Sequence, residues 1–297
     1  MREGILAHVG HTPLVRLQHS SPNPRVTLWA KLELCNPSGS LKDRIALHMI
    51  ERAEARGELR PGMTLVEATS GNTGIALGMV AAVKGYGLKI FMSEAKTVER
   101  RKILRTWGAE LNLTTREDPD SHIWAAKALA ESEPGRHFYL NQNENPDNVE
   151  AHRRGTGTEI VEQTGGKVDA FVAGFGTGGC LMGVARAFRE KGVEARIVAV
   201  EPPPCGGIDG LKHRDEAYQP LIADRSALTD TVSVLPEEAV RAARSIAARE
   251  GILAGLSSGA TLHAAQELAR TMEQGNIVVL FGDRGERYFS TPLFAEG

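Results

Sequence analysis

Cysteine is scarce and unpatterned. Cys35, Cys180 and Cys205 are an odd number with no CxxC spacing, which speaks against a disulfide framework and a structural zinc site and fits a reducing cytoplasm. No metal-ligand spacing occurs among the nine histidines and no GxSxG stretch is present, so a metal centre, metallohydrolase chemistry and serine-hydrolase chemistry fall away. No run of about 18 apolar residues could span a bilayer. The stretch "GILAHVG" near the start is too short for a secretory signal and runs at once into the turn-like "HTP", so a cytoplasmic location is expected. An excess of one charge is missing too, with 35 Lys plus Arg against 37 Asp plus Glu. That balance gives no drive toward nucleic acid or an anionic membrane, and small molecules are the expected partners.

With 297 residues the chain is long enough for about two domains or one large α/β unit. Short apolar runs, "TLVEAT", "KIFMS", "DAFVAG", "RIVAVE" and "NIVVLF", are separated by segments long enough for a crossover helix. That alternation predicts a parallel α/β architecture, with sheets covered on both faces where the runs are continuously apolar. A site is then expected beyond the C-terminal ends of the strands. Helices are predicted at Asp43–Arg56, Asn72–Lys84, Val98–Trp107, Ser121–Ala130, Val149–Gln163, Gly178–Lys191, Pro236–Glu250 and Gly259–Thr271. "NENPDN" at Asn143–Asn148 is a turn cluster and a candidate domain junction. From "EPPPCGGIDG" to about Ser233 the chain is irregular for longer than an ordinary connection, and such loops are usually functional.

Four loops could carry chemistry. "NPSGSLKDR" delivers Lys42 to the start of a helix, where the dipole and burial both disfavour an ammonium. Two readings are open there: a solvated surface lysine, or an amine lowered from about 10.4 toward neutrality and able to form a Schiff base. "TSGNTG", Thr69 to Gly74, follows a strand and opens a helix, so it is either a small-anion site or a capped turn. "GFGTGGC", Gly174 to Cys180, is placed the same way. It lacks the GK[ST] of a P-loop, and its weak likeness to a dinucleotide fingerprint rests on Glu201 at roughly the twenty-residue offset. A phosphate cradle of backbone amides with the Thr177 hydroxyl is the remaining reading. "GLSSGA", Gly255 to Ala260, taken alone, does no more than cap a helix.

One amine, one phosphate cradle, one carboxylate-sized loop and one hydroxyl-bearing loop are together what pyridoxal 5'-phosphate needs to act on an amino acid. Over nearly its whole length the sequence resembles the fold-type II pyridoxal-phosphate enzymes, and among them the cysteine synthases of B type. The residues that carry the resemblance are "GHTPLVRL", "KLELCNPSGSLKDR", "EATSGNTGIAL", "GFGTGGCLMGVAR" and "GDRGERYFSTPLF".

The resemblance implies two open, twisted, mostly parallel sheets flanked by helices, with the active site between two domains. The smaller and mobile one would be residues 40–144, the larger 1–39 plus 145–297. It implies that Lys42 carries the cofactor and moves protons at the substrate, that Asn72 bonds the ring oxygen, and that Ser257 faces the pyridine nitrogen. Gly176, Thr177, Gly178, Gly179 and Cys180 would surround the phosphate, and Thr69, Ser70, Thr73 and Gln142 would grip the substrate carboxylate. The implied reaction replaces the β-substituent of O-acetylserine or O-phosphoserine by sulfur, in a homodimer, with sulfide, thiosulfate or a sulfur-carrier protein as donor. Cystathionine synthase-like, cysteine lyase or dehydratase activity, or a silent amino-acid-binding scaffold, are the competing readings. Cys180 stands where the family usually has threonine, and a thiol is a weaker donor. Asn143 and Arg153 stand where aromatic residues are usual, and both bear on which substrate fits. Lys212 falls near an arginine that reads a phosphorylated serine in some B-type relatives, and is either such a reader or a solvated loop lysine.

Overall fold

The computed structural model describes residues 4–69, 71–93, 98–114, 121–204, 206–216 and 218–295. The chain opens with β1 (Leu14–Arg16) and β2 (Val26–Leu32), then α1 (Lys42–Ala55), β3 (Thr64–Ala68), α2 (Asn72–Lys84), β4 (Gly87–Ser93), α3 (Val98–Thr106) and β5 (Glu110–Thr114). It continues through α4 (Ser121–Ser132), β6 (His137–Tyr139), α5 (Pro146–His152), α6 (Thr158–Thr164), β7 (Ala170–Gly174), α7 (Gly179–Glu190) and β8 (Arg196–Glu201). The last elements are β9 (Asp230–Ser233), α8 (Pro236–Glu250), α9 (Leu256–Thr271) and β10 (Gly275–Phe281).

Two sheets result. One has the order β1-β2-β10-β7-β8-β9, and all its pairs are parallel except the edge pair β1–β2. The other is wholly parallel, in the order β5-β4-β3-β6. The five apolar runs become β3, β4, β7, β8 and β10, as their β-branched composition predicts. Strands β7, β8 and β10 are buried almost throughout, since the six-stranded sheet has a hydrophobic cluster on each face. β4 alternates buried with partly exposed residues. The four-stranded sheet packs α1 and α2 on one side, through Ile45, Met49, Leu65 and Ile75.

One predicted helix, Val149–Gln163, forms within a helical run from Pro146 to Thr164 that is interrupted in pitch but not in chain direction. Asn145 starts it early by accepting the Asp147 amide at 3.0 Å, with Pro146 in the first turn. The backbone then widens into a π turn at Arg153–Gly157, where the Thr158 hydroxyl donates to the Arg153 carbonyl at 2.9 Å. Gly157 lies so close to Val184 and Ala187 of α7 that a side chain there would collide, so the widened turn lets this helix lie tightly on α7. The last helix begins at Leu256, three residues before the predicted Gly259, and this brings Ser257 into its first turn. Among its described residues, the long irregular segment after β8 contains one short 3-10 turn, Arg225–Ala227, before β9.

Candidate active site

The C-terminal ends of the strands carry the site. Lys42, Asn72, Gly176, Thr177, Gly178, Cys180 and Ser257 line one cleft, which takes residues from elements around both sheets. Lys42 is the first residue of α1, and its approach is fixed by the Leu41 amide, which donates to the Gly282 carbonyl at 2.9 Å just past β10. Burial pulls its amine below the ordinary lysine range, against the opposing pull of Cys180 and Asp283. Lys42 is partly exposed and lines the cleft, which favours the amine reading over a solvated surface lysine.

Two residues on, Arg44 ends in the most charged part of the interior. Its guanidinium donates to Glu33 at 2.7 and 2.8 Å and to Glu159 at 2.6 and 2.7 Å, and Lys31 donates to Glu159 at 2.7 Å. All four side chains are buried, and their mutual pairing offsets the cost of desolvation. The first turn of α1, and Lys42 with it, is thereby tied to β2 and α6.

Across the cleft the turn Gly176–Gly178 leads into α7. Gly178 has φ +79, a left-handed backbone that favours glycine. Gly178 itself offers no capping side chain, so the positive end of the helix dipole lies at the cleft. Thr177 accepts the Gly179 amide at 3.3 Å and the Asn148 amide nitrogen at 3.1 Å, while the same Asn148 nitrogen donates to the Gln142 carbonyl at 2.8 Å. Burial pushes the Cys180 thiol up to about 12, so it is neutral and only a weak donor.

The amide of Asn72 donates to Asp283 Oδ2 at 2.7 Å, and its oxygen accepts from Arg287. The Tyr288 hydroxyl donates to the same Asp283 oxygen at 2.7 Å. Asp283 also bridges to Ser40 through the backbone and accepts the Gly255 amide at 3.0 Å on its carbonyl. It thus joins the Lys42 loop, α2 and the start of α9. Asp283, Arg287 and Asn148 had no role in the sequence reading, although "GDRGERY" is among its quoted motifs. The signal was a charged pair directly after a fully apolar strand.

The residues expected to grip a substrate carboxylate are not in the lining of this cleft. Thr73 donates to Gln142 Oε1 at 2.7 Å, both buried, and the Thr69 hydroxyl oxygen accepts the Gly71 amide at 3.2 Å. Ser70 falls outside the described residues. Lys212 stays apart: its Nζ donates to the Tyr218 carbonyl at 3.3 Å and lies 5.3 Å from the centre of that ring. Arg153 points away from the site, onto Glu150 and Glu190 at 2.6 Å, so its departure from an aromatic does not touch the cleft. Asn143 is buried and receives the Ile222 amide on its carbonyl at 3.3 Å. Glu201 has no room to hold a ribose, because Arg214 and Arg225 occupy its carboxylate. The dinucleotide reading ends there.

The family model for pyridoxal-phosphate dependent enzymes matches residues 5–283. The chain belongs to the pyridoxal-phosphate dependent enzymes. It is 43% identical over 290 residues to cysteine synthase B of Salmonella typhimurium, covering 97% of this chain and 95% of that one. Among solved structures, O-ureido-L-serine synthase superposes with a TM-score of 0.93 at 40% identity, covering 100% of this chain and 97% of that one. Cysteine synthase from Entamoeba histolytica gives a TM-score of 0.93 at 36% identity, covering 100% and 93%. A pyridoxal-phosphate enzyme requires an amine for the aldehyde and donors for the phosphate. The Lys42 amine and the glycine turn that opens α7, lining one cleft, fit both requirements.

Proposed function

We propose that the protein is a cysteine synthase that exchanges the β-substituent of O-acetyl-L-serine for sulfur. The observation that carries this reading is the Lys42 amine and the glycine turn of α7 in one cleft, beside a small-anion loop built by Thr69, Thr73 and Gln142. Lys42, Asn72, Gly176 to Cys180 and Ser257 would hold the cofactor. Bound there, pyridoxal 5'-phosphate supplies an electron sink for charge developing at the amino acid's α-carbon.

The residues of the chain do the rest. Lys42, whose amine desolvation pulls below the ordinary lysine range, takes the α-proton and holds it while the β-substituent leaves. Ser257 offers the pyridine nitrogen a hydroxyl and no charge, which moderates the sink and suits loss of a β-group. Asn72 has one amide hydrogen committed to Asp283, and its second is left for the ring oxygen. Gln142 accepts from Thr73 on its oxygen, which aims its NH2 group outward as a carboxylate donor.

The acylated serine is favoured over the phosphorylated one, because Lys212 is engaged by the Tyr218 carbonyl and ring. Titrating the holoenzyme with O-acetylserine, O-phosphoserine and L-serine, in wild type and Lys212→Ala, tests this. The reading expects the visible spectrum to change with O-acetylserine, and sulfide then to yield cysteine, equally in both proteins. Water or homocysteine as the better acceptor would instead favour a dehydratase or a cystathionine-forming enzyme.

Three coarser features accompany the reading. Residues 40–144 form the smaller domain, which closes on a larger one made of 1–39 and 145–297. The reading takes the protein to be a cytoplasmic homodimer. Light scattering checks the dimer, and a thiocarboxylated carrier protein offered in place of sulfide checks for a protein donor.

A further inference from the structure

Glu201 ends β8 with its side chain 2% exposed, and it takes two guanidinium groups: Arg214 Nε at 3.3 Å and Arg225 Nη1. A carboxylate so buried is stable only with paired donors. Both arginines come from the irregular segment after β8, and that segment lies against the glycine turn. The Lys212 amide donates to the Phe175 carbonyl at 2.7 Å. The Gly210 carbonyl, Leu211 and Ala223 approach Gly176, Gly174 and Gly178 so closely that a β-carbon would collide at each. Arg225 also spans from Glu201 to the ring of Phe175, with its guanidinium carbon 4.0 Å from the ring centre. Phe175 is fully buried and sits within the glycine turn. The glycines thus admit an outer wall, and Glu201 holds that wall at two points.

We propose that Glu201, through Arg225 on Phe175 and through Arg214, is the positioning residue that keeps the glycine turn in its phosphate-binding shape. A turn with glycine at 174, 176, 178 and 179 has wide backbone freedom when unsupported. Amides bind a phosphate well only when they are already aimed. α7 restrains the turn from one end, and the Glu201 clasp restrains it from outside. This rests on reading the α7 turn as the phosphate cradle.

The test compares pyridoxal 5'-phosphate with pyridoxal, which has the same ring and aldehyde and no phosphate. Both are titrated against the full-length chain freed of cofactor, in wild type, Glu201→Gln, Arg225→Ala and Arg225→Lys. In Glu201→Gln and Arg225→Ala the affinity for pyridoxal 5'-phosphate falls about tenfold or more, and that for pyridoxal stays within about twofold. Arg225→Lys, which keeps the charge and loses the flat guanidinium, falls between. Parallel loss of both affinities, or unchanged affinity for pyridoxal 5'-phosphate, overturns the positioning role. A wild type that binds the two compounds equally would overturn the cradle reading itself. Arg225, 33% exposed, carries the test if Glu201→Gln does not fold.

Discussion

Thr73 and Gln142 are joined by a buried hydrogen bond of 2.7 Å, which links the first turn of α2 to the loop after β6. Both residues were assigned to one carboxylate site from separate stretches of sequence. Their contact, with Asn148 continuing it to Thr177, makes the substrate loop and the glycine turn one connected unit.

If that unit grips the substrate carboxylate, Gln142→Ala removes a donor to a charged group. A loss of about 1.5 to 3 kcal/mol, or roughly ten- to a hundredfold in KM for the amino acid, is expected. Cofactor content and the KM for sulfide should stay near wild type. Steady-state kinetics in both substrates measures this, and an effect confined to kcat would point to another role.

If Cys180 stands at the cofactor phosphate, Cys180→Thr supplies a hydroxyl where burial now keeps a neutral thiol. One improved hydrogen bond, about 1 kcal/mol, predicts roughly fivefold slower cofactor loss on dialysis. Cys180→Ala should change retention little, because the thiol contributes little to begin with.

Stability should fall on both sides of mildly acidic pH, for different residues. Burial opposes ionisation of Glu33 and Glu159, but the Arg44 guanidinium outweighs it and holds both below their ordinary value of 4.5. Their contribution is present above 4.5 and lost as pH falls through the lower folded values. Burial raises Glu67 to about 8 and Asp43 to about 6. Their folded states favour the proton, so their contribution is full below 4.5 and 3.8 respectively and declines as pH rises through those folded values. A Tm profile from acid to alkali checks this: Glu67→Gln should flatten the decline between pH 4.5 and about 8 and leave the limb below 4.5 unchanged.

Much of the fold was legible because strand and helix periods are local properties. The runs that became β3, β4, β7, β8 and β10 announce themselves. β1 and β6, of three residues each, and the polar β5 do not, since pairing partners rather than intrinsic preference make them strands. The break at Arg153–Gly157 was invisible for a similar reason: it answers the close approach of α7. In the site, Lys42 and the glycine turn could be picked out because each stands at a helix start after a recognisable turn, whereas Asn72 and Ser257 stood out only through the family resemblance. Asp283 could not, because its meaning lies in reaching Asn72 from 211 residues away. Glu201 stood out in the sequence only as weak support for a dinucleotide reading, since its spacing from the glycine turn is compatible with a ribose partner and only the arginines after it decide the matter.

The central claim is that the Lys42 amine is the one that takes the cofactor aldehyde. Reducing the cofactor-loaded protein with borohydride and mapping its peptides by mass tests this most directly. The account predicts a single pyridoxyl adduct on Lys42, collapse of the visible band, and no adduct in Lys42→Ala. An adduct on another lysine, or one that persists in Lys42→Ala at wild-type yield, would contradict it.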